Sequence, residues 1–142
     1  MIVSAKTEYA CIAVLELAAR HGQPEPVRIR QIAEAHGIPS RFLVQILLQL
    51  KSAGLVQSTR GAAGGYQLAK EPEDITLLDV MMVVDGQLGQ AATSATRNTA
   101  TTRVLHRTWK EVAAKERELL DSVTFATLVE RLKGAPEGMY YI

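Results

Sequence analysis

A chain of 142 residues, 47% of them hydrophobic, has material for one domain or for a small domain with a helical extension. No apolar run reaches the 18 or more residues of a membrane span, and Glu8 and Arg20 around the first apolar stretch do not fit a secretory signal, so a cytoplasmic protein is expected. A lone cysteine, Cys11, excludes an internal disulfide, and the net charge of +1 conceals a basic block: Arg28 to Lys70 holds six basic residues against the single acid Glu34. A positive patch inside a near-neutral chain suits a polyanionic partner, although clustered charge is often only a solvated face.

In chain order, residues 4 to 21 read as a first helix with Ser4 or Thr7 as N-cap, and Cys11, Ile12, Val14, Leu15, Ala18 and Ala19 make its apolar stripe. Cys11 in that stripe reads as a small core residue. Gly22, Pro24 and Pro26 end the helix. Val27 to Ile29 can add a short strand to a later hairpin. Ile29, Ile32 and Ala33 mark a short second helix closed by His36-Gly37, because glycine takes the left-handed conformation cheaply. Pro39-Ser40 opens a third helix. By spacing, its buried face is Phe42, Leu43, Ile46, Leu47 and Leu50, and its open face is Ser40, Arg41, Val44, Gln45 and Gln49. Ala53-Gly54-Leu55 stops it.

Two short alternating segments, Leu55 to Ser58 and Tyr66 to Leu68, flank the glycine-rich loop Thr59 to Gly65, and this is the pattern of a hairpin. The loop lacks a Gly-Lys-Ser/Thr signature and a following helix, so a nucleotide cradle is not expected. After a linker turn at Glu71 to Asp74, Thr76 and Asp79 form a capping pair for a fourth helix, Leu77 to Val84, apolar nearly all round and so expected between layers. Residues 87 to 102 are small, polar and aperiodic, and read as a mobile loop. A long helix then starts near Thr101 or Thr102 and runs to about Ser122, with Leu105, Trp109, Val112, Leu119 and Val123 near 3.5-residue spacing, interrupted by Glu116. Such a helix is roughly 30 Å long, and its stripe invites a partner helix from a second subunit more readily than the first helix of its own chain. Thr124 caps a last helix carrying Phe125, Leu128, Val129 and Leu132, stopped by Gly134 and Pro136.

The expected fold is mainly α with a small β-hairpin wing: a winged helix-turn-helix over residues 1–86, the mobile loop 87–102, and a dimerisation helix with a C-terminal helix over 103–142. In that arrangement the third helix enters the DNA major groove and the wing reaches phosphates or the minor groove. Arg41 can pair with guanine or a phosphate, Gln45 with adenine, and Ser40 with either bases or phosphates. Gln49 lies too far from the helix N-terminus. Arg60, flanked by Gly61, has the reach for a narrow minor groove, while Gly61, Gly64 and Gly65 let the backbone approach the sugar–phosphate wall. Each of these residues alone is an ordinary surface residue; their order on one unit carries the reading.

The same residues carry a resemblance. Ile32-Ala33-Glu34, Gly37-Ile38, Phe42-Leu43, Gln45-Ile46-Leu47, Ala53-Gly54-Leu55-Val56 and the wing Arg60-Gly61-x-x-Gly64-Gly65-Tyr66 resemble the signature of the Rrf-two family of bacterial regulators. Thr7-Glu8-Tyr9-Ala10 and Ile75 to Gly86 extend the match, which is dense over residues 1 to 86. The resemblance implies a homodimeric transcription factor, usually a repressor, binding double-stranded DNA at a palindromic operator, with Tyr66 in the wing motif and Leu105, Trp109, Val112 and Leu119 on the dimerisation helix. Two departures stand out. Val44 replaces the glutamate common before the recognition-helix glutamine, which exchanges a cytosine acceptor for an apolar contact such as a thymine methyl. Family members with an iron–sulfur cluster have three cysteines in the loop after the fourth helix; Ala91, Arg97 and Arg103 stand at corresponding spacing here, so no cofactor and no metal are expected. His106 resembles a ligand position in some members and Glu8 a first-helix carboxylate, but with Cys11 they read better as ordinary surface and core residues than as a metal site. No nucleophile–base pair points to an enzyme. The alternative is a protein-partner-binding or small-molecule-sensing module in which DNA binding is secondary.

Overall fold

The computed structural model describes residues 1–86 and 94–135; Ala91 and Pro136 lie outside them, as does part of the expected loop. Six helices and one hairpin follow in the order α1 (Ala5–Ala19), α2 (Ile29–His36), α3 (Ser40–Ser52), β1 (Val56–Thr59), β2 (Gly65–Leu68), α4 (Leu77–Asp85), α5 (Ala100–Ser122) and α6 (Phe125–Lys133), with a 3-10 turn at Pro72–Asp74 before α4.

Each boundary has a local cause. The Ser4 hydroxyl accepts from the Thr7 amide at 3.1 Å and caps α1, so of the two expected candidates Ser4 is the cap. Gly37, at φ 66°, closes α2 in the left-handed conformation, and Ile38 donates back to Ala33 O at 3.0 Å. Pro39 is the N-cap residue of α3, without a side-chain capping bond. Thr76 and Asp79 form the reciprocal capping box of α4, as expected, and Thr99 with Thr102 does the same for α5. That second box starts α5 at Ala100, so residues 100–102 are helical and the expected loop is shorter at this end.

The core is aliphatic. Val14 and Leu17 of α1, Ile32 of α2, Leu43, Ile46, Leu47 and Leu50 of α3, Val80 and Val84 of α4, and Phe125 of α6 meet in one cluster. The inward face of α1 is Thr7, Ala10, Ala13, Val14, Leu17 and Ala18, rotated from the expected stripe: Cys11, Ile12 and Leu15 are half-buried and Ala19 is exposed. Alanines at 10, 13 and 18 beside Val14 and Leu17 let α3 and α4 pack closely on α1. Phe42 also departs from its expected place. It is 45% exposed, with its ring against Tyr9 (centroids 6.3 Å apart) and the Arg41 guanidinium over its face at 5.0 Å.

β1 and β2 pair antiparallel, Val56 with Leu68 and Thr59 with Gly65; of the strand expected over Val27 to Ile29 only Val27 joins them, exchanging backbone bonds with Tyr66 at 2.9 and 2.7 Å, because Ile29 already begins α2. Helix α5 meets its own chain mainly at α4, where Leu120 is buried with Leu78 and Met81. Among the described residues no helix is long and apolar enough to cross a membrane.

Candidate nucleic-acid interface

The helix-turn-helix begins with a steric requirement: α2 and α3 are joined by Gly37-Ile38-Pro39, and Ile38 is buried as the pin of the turn. With Leu43, Ile46, Leu47 and Leu50 turned into the core, the remaining face of α3 is settled by helical geometry. Ser40, Arg41, Val44 and Gln45 are all exposed on its first two turns, and Leu48 continues the exposed strip a turn later. Gln49 is half-buried, and its Oε1 has no hydrogen-bond partner among the described residues, so it does not belong to this open face. The face offers one cation, one amide, one hydroxyl and an apolar pair. Chemically, it can donate to guanine acceptors or phosphates through Arg41, bridge adenine through Gln45, and cover a methyl through Val44.

The wing is built by close backbone approach. A Cβ on Gly64 would enter the Thr59 carbonyl oxygen, and one on Gly65 would enter the carbonyl of Val27. Gly64 is buried, and Tyr66 is half-buried, its ring packed partly against the core and its backbone held by Val27. Arg60 and Gly61 are exposed at the start of the loop.

Arg28 adds a function that sequence reasoning missed. It is the N-cap residue of α2, and its guanidinium donates to the Ala62 carbonyl at the wing tip, 34 residues away. Its basic character was legible, whereas its contact is long-range and carries no local signal. Between α2 and the wing lies a groove lined by Arg28, Ser58, Thr59, Arg60 and Gly61. Lys51 Nζ donates to Ser58 Oγ at 2.7 Å and ties the end of α3 to β1. Arg30 pairs with Glu34 one turn on (2.8 Å), which raises its pKa further, first through the hydrogen bond and then through the charge.

The long helix has two faces. Thr102, His106, Ala113, Glu116 and Leu120 are the more covered positions, whereas Leu105, Trp109, Val112 and Leu119 are 51, 52, 52 and 66% exposed. The outward set keeps a spacing of four and three that Glu116, more covered than its neighbours, interrupts, and Val104 is exposed beside it.

The donors for a metal are poor. Cys11 is on α1, and its thiol is pushed up to about 11 by burial and then by the charge of Asp85. No group of three or more His, Cys, Asp or Glu that could hold a metal ion occurs among the described residues. Glu8 is exposed on α1, and His106 faces the segment before α5. The other histidines have carboxylate neighbours: His36 Nε2 is 2.7 Å from Glu16 Oε1, and His21 Nε2 is 2.9 Å from Glu71 Oε2.

Comparison with known proteins places this architecture. The family model described as "Rrf2: Iron-dependent Transcriptional regulator" matches residues 3–131. The HTH-type transcriptional regulator CymR of Bacillus subtilis (strain 168) is 33% identical over 143 residues, all of both chains. The solved structure of CymR, "the Global Cysteine Regulator of B. subtilis", superposes with a TM-score of 0.81 at 32% identity, over 92% of this chain and 98% of that one. T. potens IscR superposes with a TM-score of 0.77 at 35% identity, over 99% and 97%.

Proposed function

The chain belongs to the Rrf2 family of transcriptional regulators, and from that premise we propose that it acts as a homodimeric, sequence-specific DNA-binding repressor in the cytoplasm. It is a regulator and not an enzyme. In this reading the winged helix-turn-helix of residues 1–86 is the DNA-binding unit. The observation that carries it is the pairing, on one core, of an exposed α3 face holding Arg41, Val44 and Gln45 with a glycine-built wing presenting Arg60. The first set would read base edges in the major groove and the second the narrow minor groove. Dimerisation through Leu105, Trp109, Val112 and Leu119 would place two such units on half-sites roughly one or two helical turns apart.

The iron of the family description does not fit this chain. Cluster irons are held by thiolates, the sequence has one cysteine, and that cysteine keeps its proton well above neutral pH. We therefore read the protein as working without a cluster, and no step of its action is routed through one.

Selection of bound sequences from random duplex DNA tests the proposal. The expected result is a palindrome bound with an affinity that falls steeply with salt, because each phosphate neutralised by a cation releases counterions. Arg60→Ala should then weaken binding to the selected site by about 1–3 kcal/mol. A pool from which nothing is enriched, at low salt as well as high, would end the proposal.

A further inference from the structure

A small cleft of about 240 Å³ lies where the segment before α5 folds against the first two turns of that helix, lined by Thr96, Arg97, Asn98, Thr102, Arg103 and His106. We propose that this cleft binds a small oxyanion, the carboxylate or phosphate group of a metabolite, held by Arg97, Arg103 and His106. The inference adds an effector to the regulator and does not depend on how the winged unit reads DNA.

Charge is the first support. From Gly86 to Lys110 the sequence contains Arg97, Arg103, Arg107 and Lys110 and no Asp or Glu at all. Four other cations, Arg20, Arg30, Lys115 and Lys133, each have a carboxylate three or four residues away on their own helix, which this stretch cannot supply. Among the described residues neither Arg97 nor Arg103 has an acidic partner. A cluster of guanidinium groups at this density is mutually repulsive until an anion joins it, and the planar guanidinium fork matches both carboxylate and phosphate.

Geometry is the second. Thr102 Oγ1 donates to the Arg97 carbonyl at 3.2 Å, which pins the backbone of the preceding segment to the helix. Arg103 Nη1 lies 3.4 Å from the Asn98 carbonyl oxygen and 3.3 Å from its Oδ1, which turns the guanidinium back toward the same segment. His106 Nδ1 is sealed from solvent and has no hydrogen-bond partner among the described residues. Buried polar atoms are nearly always satisfied, so this nitrogen is an exception within a ring that lines the cleft. The size of the cleft decides the class of ligand. It falls below the ~300–1,000 Å³ of sites for drug-sized molecules, and a recess suits a compact anion better than a duplex, whose phosphates meet projecting cations. At its far end α5 buries Leu120 against Leu78 and Met81 of α4, and α4 shares the core with α3.

Trp109, the only tryptophan in the sequence, lies one turn beyond His106 and serves as a built-in reporter. The full-length protein is titrated, without DNA and at constant ionic strength, with inorganic phosphate and separately with malonate, while Trp109 emission is followed. A saturable response with a Kd below about 1 mM to at least one probe is expected. Arg97→Gln/Arg103→Gln should raise that Kd ~10-fold or more, while Arg60→Gln leaves it unchanged. If circular dichroism shows the double variant unfolded, Arg97→Gln alone, on the exposed segment, is held to the same expectation. No saturation by either probe overturns the proposal, as does an unchanged Kd in the arginine variant. So does loss of the response in Arg60→Gln, which would put the anion at the wing. Equally, an arginine variant that keeps phosphate binding but loses duplex affinity would make these residues DNA contacts. Since the titration contains no DNA, its outcome is separate from that of the operator selection.

Discussion

Cys11 sits one helical turn from the Thr7 hydroxyl that donates to the Asp85 carboxylate, in a pocket where water is scarce and a negative charge is near. Both conditions penalise a thiolate. With a pKa of about 11, roughly one Cys11 in a thousand is ionised at pH 8, too few for a sensor thiol or an easy metal ligand. Alkylation by iodoacetamide at pH 8 should therefore be far slower in the native protein than in urea. The same shift has a sign for stability. Between the ordinary thiol value of 9.0 and about 11 the folded state keeps the proton and the unfolded state releases it, so stability falls as pH rises through that window. Relative to Cys11→Ala, the wild-type protein should lose on the order of 1–3 kcal/mol between pH 8 and pH 11, measured by urea unfolding. Parallel curves for the two proteins would show that the thiol titrates normally.

Among the elements, the wing depends most on a missing side chain. Gly65 lies against the Val27 carbonyl, so Gly65→Ala must separate the strand from Val27 and give up the paired Val27–Tyr66 bonds. Its urea midpoint should drop by an equivalent of about 1–3 kcal/mol, and an unchanged midpoint would mean that the approach is not needed. The sequence announced this element through Arg60-Gly61-x-x-Gly64-Gly65-Tyr66 between two alternating segments, and it announced α2 and α3 through Gly37, Pro39 and Gly54. Phe42 was misread because apolar spacing in α3 covers more of the helix than the core does; the ring instead finds Tyr9 and Arg41. The inward stripe of α5 was missed for the opposite reason. Four of its residues, Thr102, His106, Ala113 and Glu116, are polar or small, so hydrophobic spacing pointed at the outward set alone. Thr7, fully buried, looks like a cap candidate from local sequence alone, because its carboxylate partner Asp85 is 78 residues away.

For the whole molecule, the 23-residue α5 is the largest commitment of backbone and also its least covered part. At 1.5 Å per residue it is about 34 Å long, and of its residues only Leu120 is buried. An apolar strip of Val104, Leu105, Trp109, Val112 and Leu119 facing solvent over that length is poorly suited to an isolated chain. Leu105→Glu/Trp109→Glu should give a protein of half the mass by light scattering, with the winged unit folded and operator affinity sharply reduced, because two half-sites would no longer be bound as one event. An unaltered mass would place the dimer contact elsewhere.

The Arg28 brace has a consequence in time and entropy. Loops that meet a nucleic acid while disordered must be frozen on contact, at about 0.5–1.5 kcal/mol for each long side chain immobilised. Here the Arg28–Ala62 bond and the Val27–Tyr66 pair have already ordered the wing during folding. The cost of holding Arg60 near its place is thus carried by the stability of the domain, and a wing ordered in advance favours slow release over fast capture.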